Sequence, residues 1–381
     1  MRKVTLLQPN RVVFGNGCAE DFPEYVSKLG LRRAFVVTSP PVMEHVEPIR
    51  ARLEGSGCEV AVYSEVASEP SISMLEKALT RAKAFVPDAV VGIGGGSAMD
   101  LAKLVAALHD SSQEARDCFG IELLQGRRTF LACLPTTSGT GSEVSPNAIL
   151  LDEAERLKKG VVSSYLMPDT AYVDPLLTVS VPPAVTAATG IDALIHCIEA
   201  YTNRYSHPIV DLYVLQGIKL IADNLGRAVD CGTDLEARAA MSLGSLYGGM
   251  GLGPVGTAAV HALSYPLGGE YHVPHGIANA VLLLPTMEFN LSAAPERYAN
   301  VAMAVGAEPA EEAETTARRG LDRLRRLYAD WDIPVRLSEL GISEDAVPQL
   351  VESAMKVTRL LKNNPREVTA EDAEAIYRTA F

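Results

Sequence analysis

Asp192, His196, His261 and His275 are the residues of this chain whose types could act together in chemistry. Asp192 and His196 stand four apart in GIDALIHCIEAY, a stretch of helical pattern, so both side chains leave one helix face. His261 lies in GTAAVHALSYPLGG and His275 in YHVPHGIANAV. One carboxylate and three imidazoles make a donor set for a divalent first-row metal such as Fe²⁺ or Zn²⁺. Each residue also has a plain structural reading. A helical histidine is often packed or on the surface, and an aspartate can cap or pair locally. His261, ahead of a proline-terminated helix, could bond a carbonyl. Periodicity joins only Asp192 to His196. Glu199, one turn past His196, could stand behind the ligands, but a solvated helix face is the better reading. His45, His109 and His207 read as ordinary residues.

A second constellation is Gly94-Gly95-Gly96-Ser97, between the apolar run DAVVGI and the helical pattern AMDLAKLVAAL. Absence of Cβ atoms and free N–H groups at a helix start suit a pyrophosphate. The run is not the usual GxGxxG fingerprint, and a tight strand-to-helix turn without a ligand would read the same. The hydroxyl-rich segment PTTSGTGSEVSPNA follows the strand pattern FLACL, at the end where open α/β sheets bind ligands.

The elements that must position these groups fall into two regions. RRAFVVTS, CEVAVYSEV, DAVVGIGGG and TFLACLPTT read as strands. EPIRARLEGSG, SMLEKALTRAKAF and SAMDLAKLVAALH read as helices between them. That alternation predicts a parallel sheet covered on both faces. Beyond Pro182–Pro183 the periodicity is almost entirely helical. We therefore expect an α/β domain over 1–182 and an all-α domain over 183–381, the second holding all four metal-type residues.

Composition excludes other classes. At 381 residues the chain can build two full cores. A formal charge of −13 argues against nucleic acid or an anionic membrane as partner. The six cysteines are scattered, with no CxxC pair, which fits reduced thiols in a cytoplasmic protein. The N-terminal apolar run is too short for a signal peptide, and no uncharged apolar stretch of about 18 residues is present.

NRVVFGNG, GIGGGSAMDLAK, LPTTSGTGSEV, KKG, LLTVSVPP, ATGIDALIHCIEAY, HALSYPLGG, HVPHGIANA and NNPREVTAEDAEAIY together resemble the iron-containing (group III) alcohol dehydrogenase family, essentially end to end. The resemblance implies a Rossmann-like dinucleotide-binding domain followed by an all-α metal-binding domain, the dehydroquinate synthase-like fold, with the active site in the interdomain cleft. It implies hydride transfer between NAD(P)(H) and a small alcohol or aldehyde, the metal stabilising the alkoxide. Asp192, His196, His261 and His275 match the family's metal ligands, with Fe²⁺ the expected ion and Zn²⁺ an alternative. Gly95, Gly96 and Ser97 match its pyrophosphate loop. Thr136, Thr137, Ser145 and Lys158 match cofactor-contacting positions, and Asp100 joins that set. A homodimer or larger homo-oligomer is implied as well.

This chain departs from the family pattern at two places. Where many members carry a second histidine four residues after the one matching His261, this chain has Tyr265. With a side-chain pKa of about 10, a tyrosine is a poorer proton shuttle at neutral pH. His272 is a substitute, or else an exposed loop residue. Where NAD-preferring relatives often carry aspartate, Ser39 removes a group that would repel a 2′-phosphate, so NADP(H) or dual use is expected. Asn147, Leu252 and Leu360, beside the family motifs, are the expected substrate-pocket residues and favour a small neutral substrate. Arg359 and Lys362 leave room for an acidic one. The competing reading is a metal-dependent lyase of the dehydroquinate-synthase type, which would need basic residues that GLGPVG and HALSYPLGG lack. A non-catalytic metal or nucleotide binder is the third.

Overall fold

The computed structural model describes every residue except Met1, Ser68 and Asp332. The backbone divides into two compact units, Leu6–Val181 on one hand and Pro182–Phe381 with the N-terminal residues as far as Thr5 on the other.

In the first unit strands and helices alternate: β1 (Arg11–Phe14), α1 (Phe22–Lys28), β2 (Arg33–Val37), α2 (Met43–Gly55), β3 (Glu59–Tyr63), α3 (Ile72–Phe85), β4 (Ala89–Gly94) and α4 (Gly96–Leu108). Then follow β5 (Gly120–Ile121), β6 (Phe130–Pro135), β7 (Asn147–Asp152), β8 (Leu157–Val162) and β9 (Thr170–Val173). Six strands form a sheet ordered β1-β9-β6-β4-β2-β3, parallel at every pairing. Strand β4 is buried throughout, as expected where both faces are covered. Phe35, Val37, Val90 and Leu131 pack with Leu75, Leu101 and Val105 of α3 and α4. Their alternate neighbours Val36, Val91, Ile93 and Leu134 pack with Phe22, Val26, Ile49 and Leu53 of α1 and α2.

The chain steps outward from β2 to β3, then returns to lay β4 on the other side of β2. A parallel sheet leaves a crevice at such a reversal, beyond the carboxyl ends of its strands. A second, three-stranded sheet, β5-β8-β7, holds an antiparallel hairpin running from Asn147↔Val162 to Asp152↔Leu157. Sequence reasoning does not find this hairpin, because Lys158 and Lys159 break the apolar pattern of β8.

The second unit is helical: α5 (Pro183–Thr202), α6 (Pro208–Asp230), α7 (Leu235–Leu252), α8 (Ala259–Tyr271), α9 (His275–Asn290), α10 (Pro295–Ala304), α11 (Ala313–Asp330), α12 (Val347–Met355), α13 (Thr358–Leu361) and α14 (Ala370–Thr379). Helix α5 is the central one. Every residue from Gly190 to Thr202 is buried. A helix apolar around most of its circumference belongs inside a bundle. Its Leu194, Ile195 and Ile198 share a core with Ile218 and Ile221 of α6, Met241 of α7, Leu263 of α8 and Val281 of α9. Pro266 lies inside α8 and does not end it, contrary to the proline-terminated helix expected there. The ring removes one helical N–H, but Pro266 is itself buried and the surrounding core holds the helix together. Among the described residues no helix is long and apolar enough to cross a membrane.

Candidate metal centre and nucleotide loop

Helix α5 sets the spacing of the centre. Asp192, His196 and Glu199 follow one another at intervals of four and three residues, so they form a single stripe along its axis. All three are buried, at 3%, 5% and 4% exposure. His261 stands in the first turn of α8, and His275 opens α9. Helix α9 packs against both α5 and α8. That packing depends on Gly276: a Cβ there would lie 2.0 Å from the backbone oxygen of Ala188 on α5. Only a glycine lets the start of α9, and with it His275, come so close.

The donor atoms converge. His261 Nε2 is 3.0 Å from His196 Nε2. Asp192 Oδ1 is 3.7 Å from His261 Nε2 and 3.7 Å from His275 Nε2. Donors each about 2.1 Å from one ion stand at most about 4.2 Å apart. Nitrogen and carboxylate oxygen at these separations fit a divalent first-row metal. Ligand atoms of Asp192, His261 and His275 all lie within 4.8 Å of one another. Burial opposes ionisation of Asp192, but His196, then His275 and His261, and the Asn279 amide outweigh it and hold the carboxyl at about 2. The site therefore presents an anion at neutral pH.

Of the two residues that stand behind the ligands, sequence reasoning misses Asn279 and gives Glu199 the wrong one of its two readings. Glu199 is not on a solvated face. Its Oε2 is 2.6 Å from His261 Nδ1, and its Oε1 accepts from the Val260 N–H at 2.7 Å. The signal was present, since an acid seven residues after Asp192 shares its helix face. The partner 62 residues away was not legible. Asn279, one turn after His275, is fully buried and directs Nδ2 to Asp192 Oδ1 at 2.7 Å. Tyr265 is 5% exposed, with its ring 6.4 Å from that of His275. His272 is exposed at the left-handed C-cap of α8, with φ 55°. Leu252 is half-buried at the end of α7, whereas Leu360 is 1% exposed within the helical core. Leu360 thus has almost no surface to offer a substrate.

In the α/β unit the three predicted cofactor segments leave the carboxyl ends of neighbouring strands. Ser39 follows β2, Gly95-Gly96-Ser97 follows β4, and Thr136-Thr137 follows β6. The β4 and β6 ends run level, with Gly94 opposite Pro135 and the Thr136 N–H bonded to Gly94 O at 3.0 Å. Gly95, Gly96, Ser97, Thr137 and Ser39 are half-buried. A Cβ on Gly96 would fall 2.5 Å from Thr140 Cγ2, so the loop and the segment after β6 meet through that glycine.

Beneath the loop, α4 holds the 142–149 segment with two side chains one turn apart. Asp100 accepts from Ser142 Oγ at 2.6 Å and from the Ile149 N–H at 2.9 Å. Lys103 is wholly buried and donates to the backbone oxygens of Ser145 and Asn147, at 2.9 and 2.8 Å. Both Asp100 oxygens are thus engaged within the protein, and Lys103 is the residue sequence reasoning missed. A charge among the apolar positions of AMDLAKLVAAL was its signal. Ser145 is buried, while Asn147 is half-buried. The Asn147 Oδ1 has no hydrogen-bond partner among the described residues. Lys158, 6% exposed, pairs with Glu69 at 2.5 Å. Burial pushes the carboxyl of nearby Glu143 up to about 7, against the opposing pull of its own N–H and of Lys103.

Comparison with known proteins is consistent along the whole chain. A sequence model described as "Iron-containing alcohol dehydrogenase" matches residues 9–175, and one described as "Fe-containing alcohol dehydrogenase family, C-terminal" matches residues 186–381. The chain is 40% identical to long-chain-alcohol dehydrogenase 1 of Geobacillus thermodenitrificans, over 97% of this chain and 96% of that one. It is 34% identical to sulfoacetaldehyde reductase of Bilophila wadsworthia, over 97% of each. Its structure is similar to the crystal structure of a 1,3-propanediol oxidoreductase, with a TM-score of 0.96, 34% identity and 100% of both chains covered.

Proposed function

The chain belongs to the iron-containing alcohol dehydrogenase family and is a metal-dependent oxidoreductase, and from that premise we propose that Asp192, His196, His261 and His275 hold the metal, with Fe²⁺ as the ion. The observation that carries this reading is that ligand atoms of Asp192, His261 and His275 lie within 4.8 Å of one another, with His196 Nε2 3.0 Å from His261 Nε2 at their edge. Family membership sets aside the lyase alternative. When bound, the ion supplies Lewis acidity at the alcohol oxygen and a nicotinamide dinucleotide accepts or returns the hydride.

The chain's own residues bind, orient and carry protons. Asp192 brings the negative charge that balances a divalent ion. Gly95, Gly96 and Ser97 offer backbone N–H groups to a pyrophosphate at the start of α4. Thr136, Thr137, Ser145 and Lys158 are assigned to contacts with the dinucleotide, and Asp100 with Lys103 holds the 142–149 segment that carries Ser145. Ser39 leaves the ribose 2′ position without a repelling carboxylate, so the enzyme uses NADP(H) as well as NAD(H). Tyr265 takes the proton near His275, and His272 is the solvent-facing end of the relay. Asn147, with its free Oδ1, and separately Leu252, half-buried at the end of α7, are the residues assigned to a small neutral alcohol or aldehyde. A cytoplasmic location fits six cysteines with no disulfide between them. Assembly into a homo-oligomer is supported by the edge strand β1, which exposes Val12 and Phe14. Light scattering on a sizing column reads the assembly directly.

The test is an aldehyde-reduction screen followed by the absorbance of NADH and of NADPH. It uses metal-stripped protein reloaded anaerobically with Fe²⁺ or Zn²⁺, beside His261→Ala. The panel includes short and long neutral aldehydes and a sulfonated one. Metal-dependent turnover that His261→Ala lacks is the expected result. Turnover that persists in His261→Ala or without metal would reject the ligand assignment.

A further inference from the structure

Glu199 does two things with one carboxylate. Helix α8 begins at Ala259, and its N-cap, Ala258, offers no side-chain cap. The first N–H groups of a helix need partners from outside. Glu199, reaching across from α5, accepts the Val260 N–H at 2.7 Å. An anion there also lies at the positive end of the α8 dipole. Its other oxygen lies 2.6 Å from Nδ1 of His261, the next residue of that turn. A carboxylate only accepts hydrogen bonds, so the imidazole hydrogen stands on Nδ1 and Nε2 presents its lone pair. Nε2 is the atom 3.0 Å from His196 Nε2 and 3.7 Å from Asp192 Oδ1.

The surroundings suit a fixed carboxylate. Glu199 lines a cavity with about 10 Å³ open to the centre of a water molecule, which is roughly room for one water. The same wall carries Thr202, Thr286, Asn290, Tyr298 and Asn364. Thr286 Oγ1 is buried and has no hydrogen-bond partner among the described residues. In that wall the Thr202 hydroxyl donates to Ile198 O and the Asn290 and Asn364 amides bond to each other, so the surroundings of Glu199 are themselves held in place.

We propose that Glu199 is a positioning residue of the metal centre: it ties the first turn of α8 to α5 and holds His261 in the tautomer that turns Nε2 toward the ion. This rests on the metal reading above. Glutamine is nearly isosteric, and Glu199→Gln can keep the Val260 bond with its oxygen only by turning its amide N–H toward His261 Nδ1. That nitrogen then accepts, and the ring carries its hydrogen on Nε2, the tautomer that cannot face a metal.

The experiment measures Co²⁺ affinity by competition with a chromophoric chelator, together with the visible spectrum of bound Co²⁺. Wild type, Glu199→Gln and Glu199→Asp are compared, with circular dichroism of each metal-free protein. Glu199→Gln is expected to weaken Co²⁺ binding about 10- to 100-fold and to shift its visible bands. Glu199→Asp is expected to recover part of both. A folded Glu199→Gln with unchanged affinity and spectrum would overturn the proposal, because a purely structural cap moves neither. If the variants do not fold, ¹⁵N-histidine NMR of metal-free wild type decides alone: a protonated Nδ1 on His261 supports the proposal and a protonated Nε2 defeats it. Wild type that binds no divalent ion would defeat the metal reading instead, and the tautomer measurement would still stand.

Discussion

Asp192 is the one anion among three imidazoles whose donor atoms converge with its own, and its charge is what a neutral substitute would remove. Asp192→Asn keeps the shape and loses the charge. The Lewis-acid contribution of a metal is several kcal/mol, so kcat/KM for aldehyde reduction should fall about a thousandfold. Metal content measured alongside should fall with it. Glu143 gives a separate prediction at this scale. Its folded-state carboxyl titrates at about 7, above the ordinary value of 4.5, because it is buried. A pKa raised on folding contributes stability that is fully present below about 4.5 and is lost as pH rises through about 7. Glu143→Gln lacks this loss, so its stability relative to wild type should rise by roughly 3 kcal/mol between pH 4.5 and 8. Denaturant titrations of both proteins across that range check it. The 192/196 interval was legible as a local property of one helix, whereas the set of four rested on the family resemblance, because periodicity cannot bring distant segments together. Asn279 and Lys103 were not legible, and Glu199 was given the wrong one of its two readings, because each is defined by a partner on another element.

Helix α9 is placed by a backbone contact rather than by side chains. Gly276→Ala drives a Cβ to 2.0 Å from Ala188 O and 2.7 Å from Ala188 C, and neither atom can rotate away. The start of α9 must then move off α5. Overpacking of this kind costs about 1–3 kcal/mol. Because His275 is the preceding residue, metal affinity should fall together with stability, and calorimetric metal titration of the folded variant tests that link. The amphipathic helices and buried strands that frame the site were readable from periods of 3.6 and 2. The β7–β8 hairpin was not, since two lysines occupy β8. The end of α8 was misread because proline's local preference yields there to tertiary packing.

The whole molecule holds its metal-type residues in one unit and its glycine loop in the other. Periodicity could say that strands alternate with helices. It could not order them as β1-β9-β6-β4-β2-β3, because crossovers are settled by contacts far apart in sequence. The single tryptophan, Trp331, is buried in the helical core. Its fluorescence therefore follows the unit that carries the ligands. A ligand present at a hundred times its Kd stabilises the folded state by about 2.7 kcal/mol. Chelating the metal from such a sample should lower the stability read by Trp331 by that amount. An unchanged denaturation midpoint would mean that the ion binds elsewhere.

The cysteines turn this division into a pair of clocks. Cys231 is exposed and reacts at once with a thiol reagent. Cys197 sits beside His196 on α5 with no exposed surface, and burial pushes its thiol far up. Cys133 on β6 is equally covered, its thiol pushed up to about 12 by burial. Neither can be modified until its own surroundings open. The labelling rate of Cys197 thus times the opening of the helical unit, and that of Cys133 times the opening of the sheet. Added metal should slow the first clock and added dinucleotide the second, so each ligand reports its address by the thiol it protects.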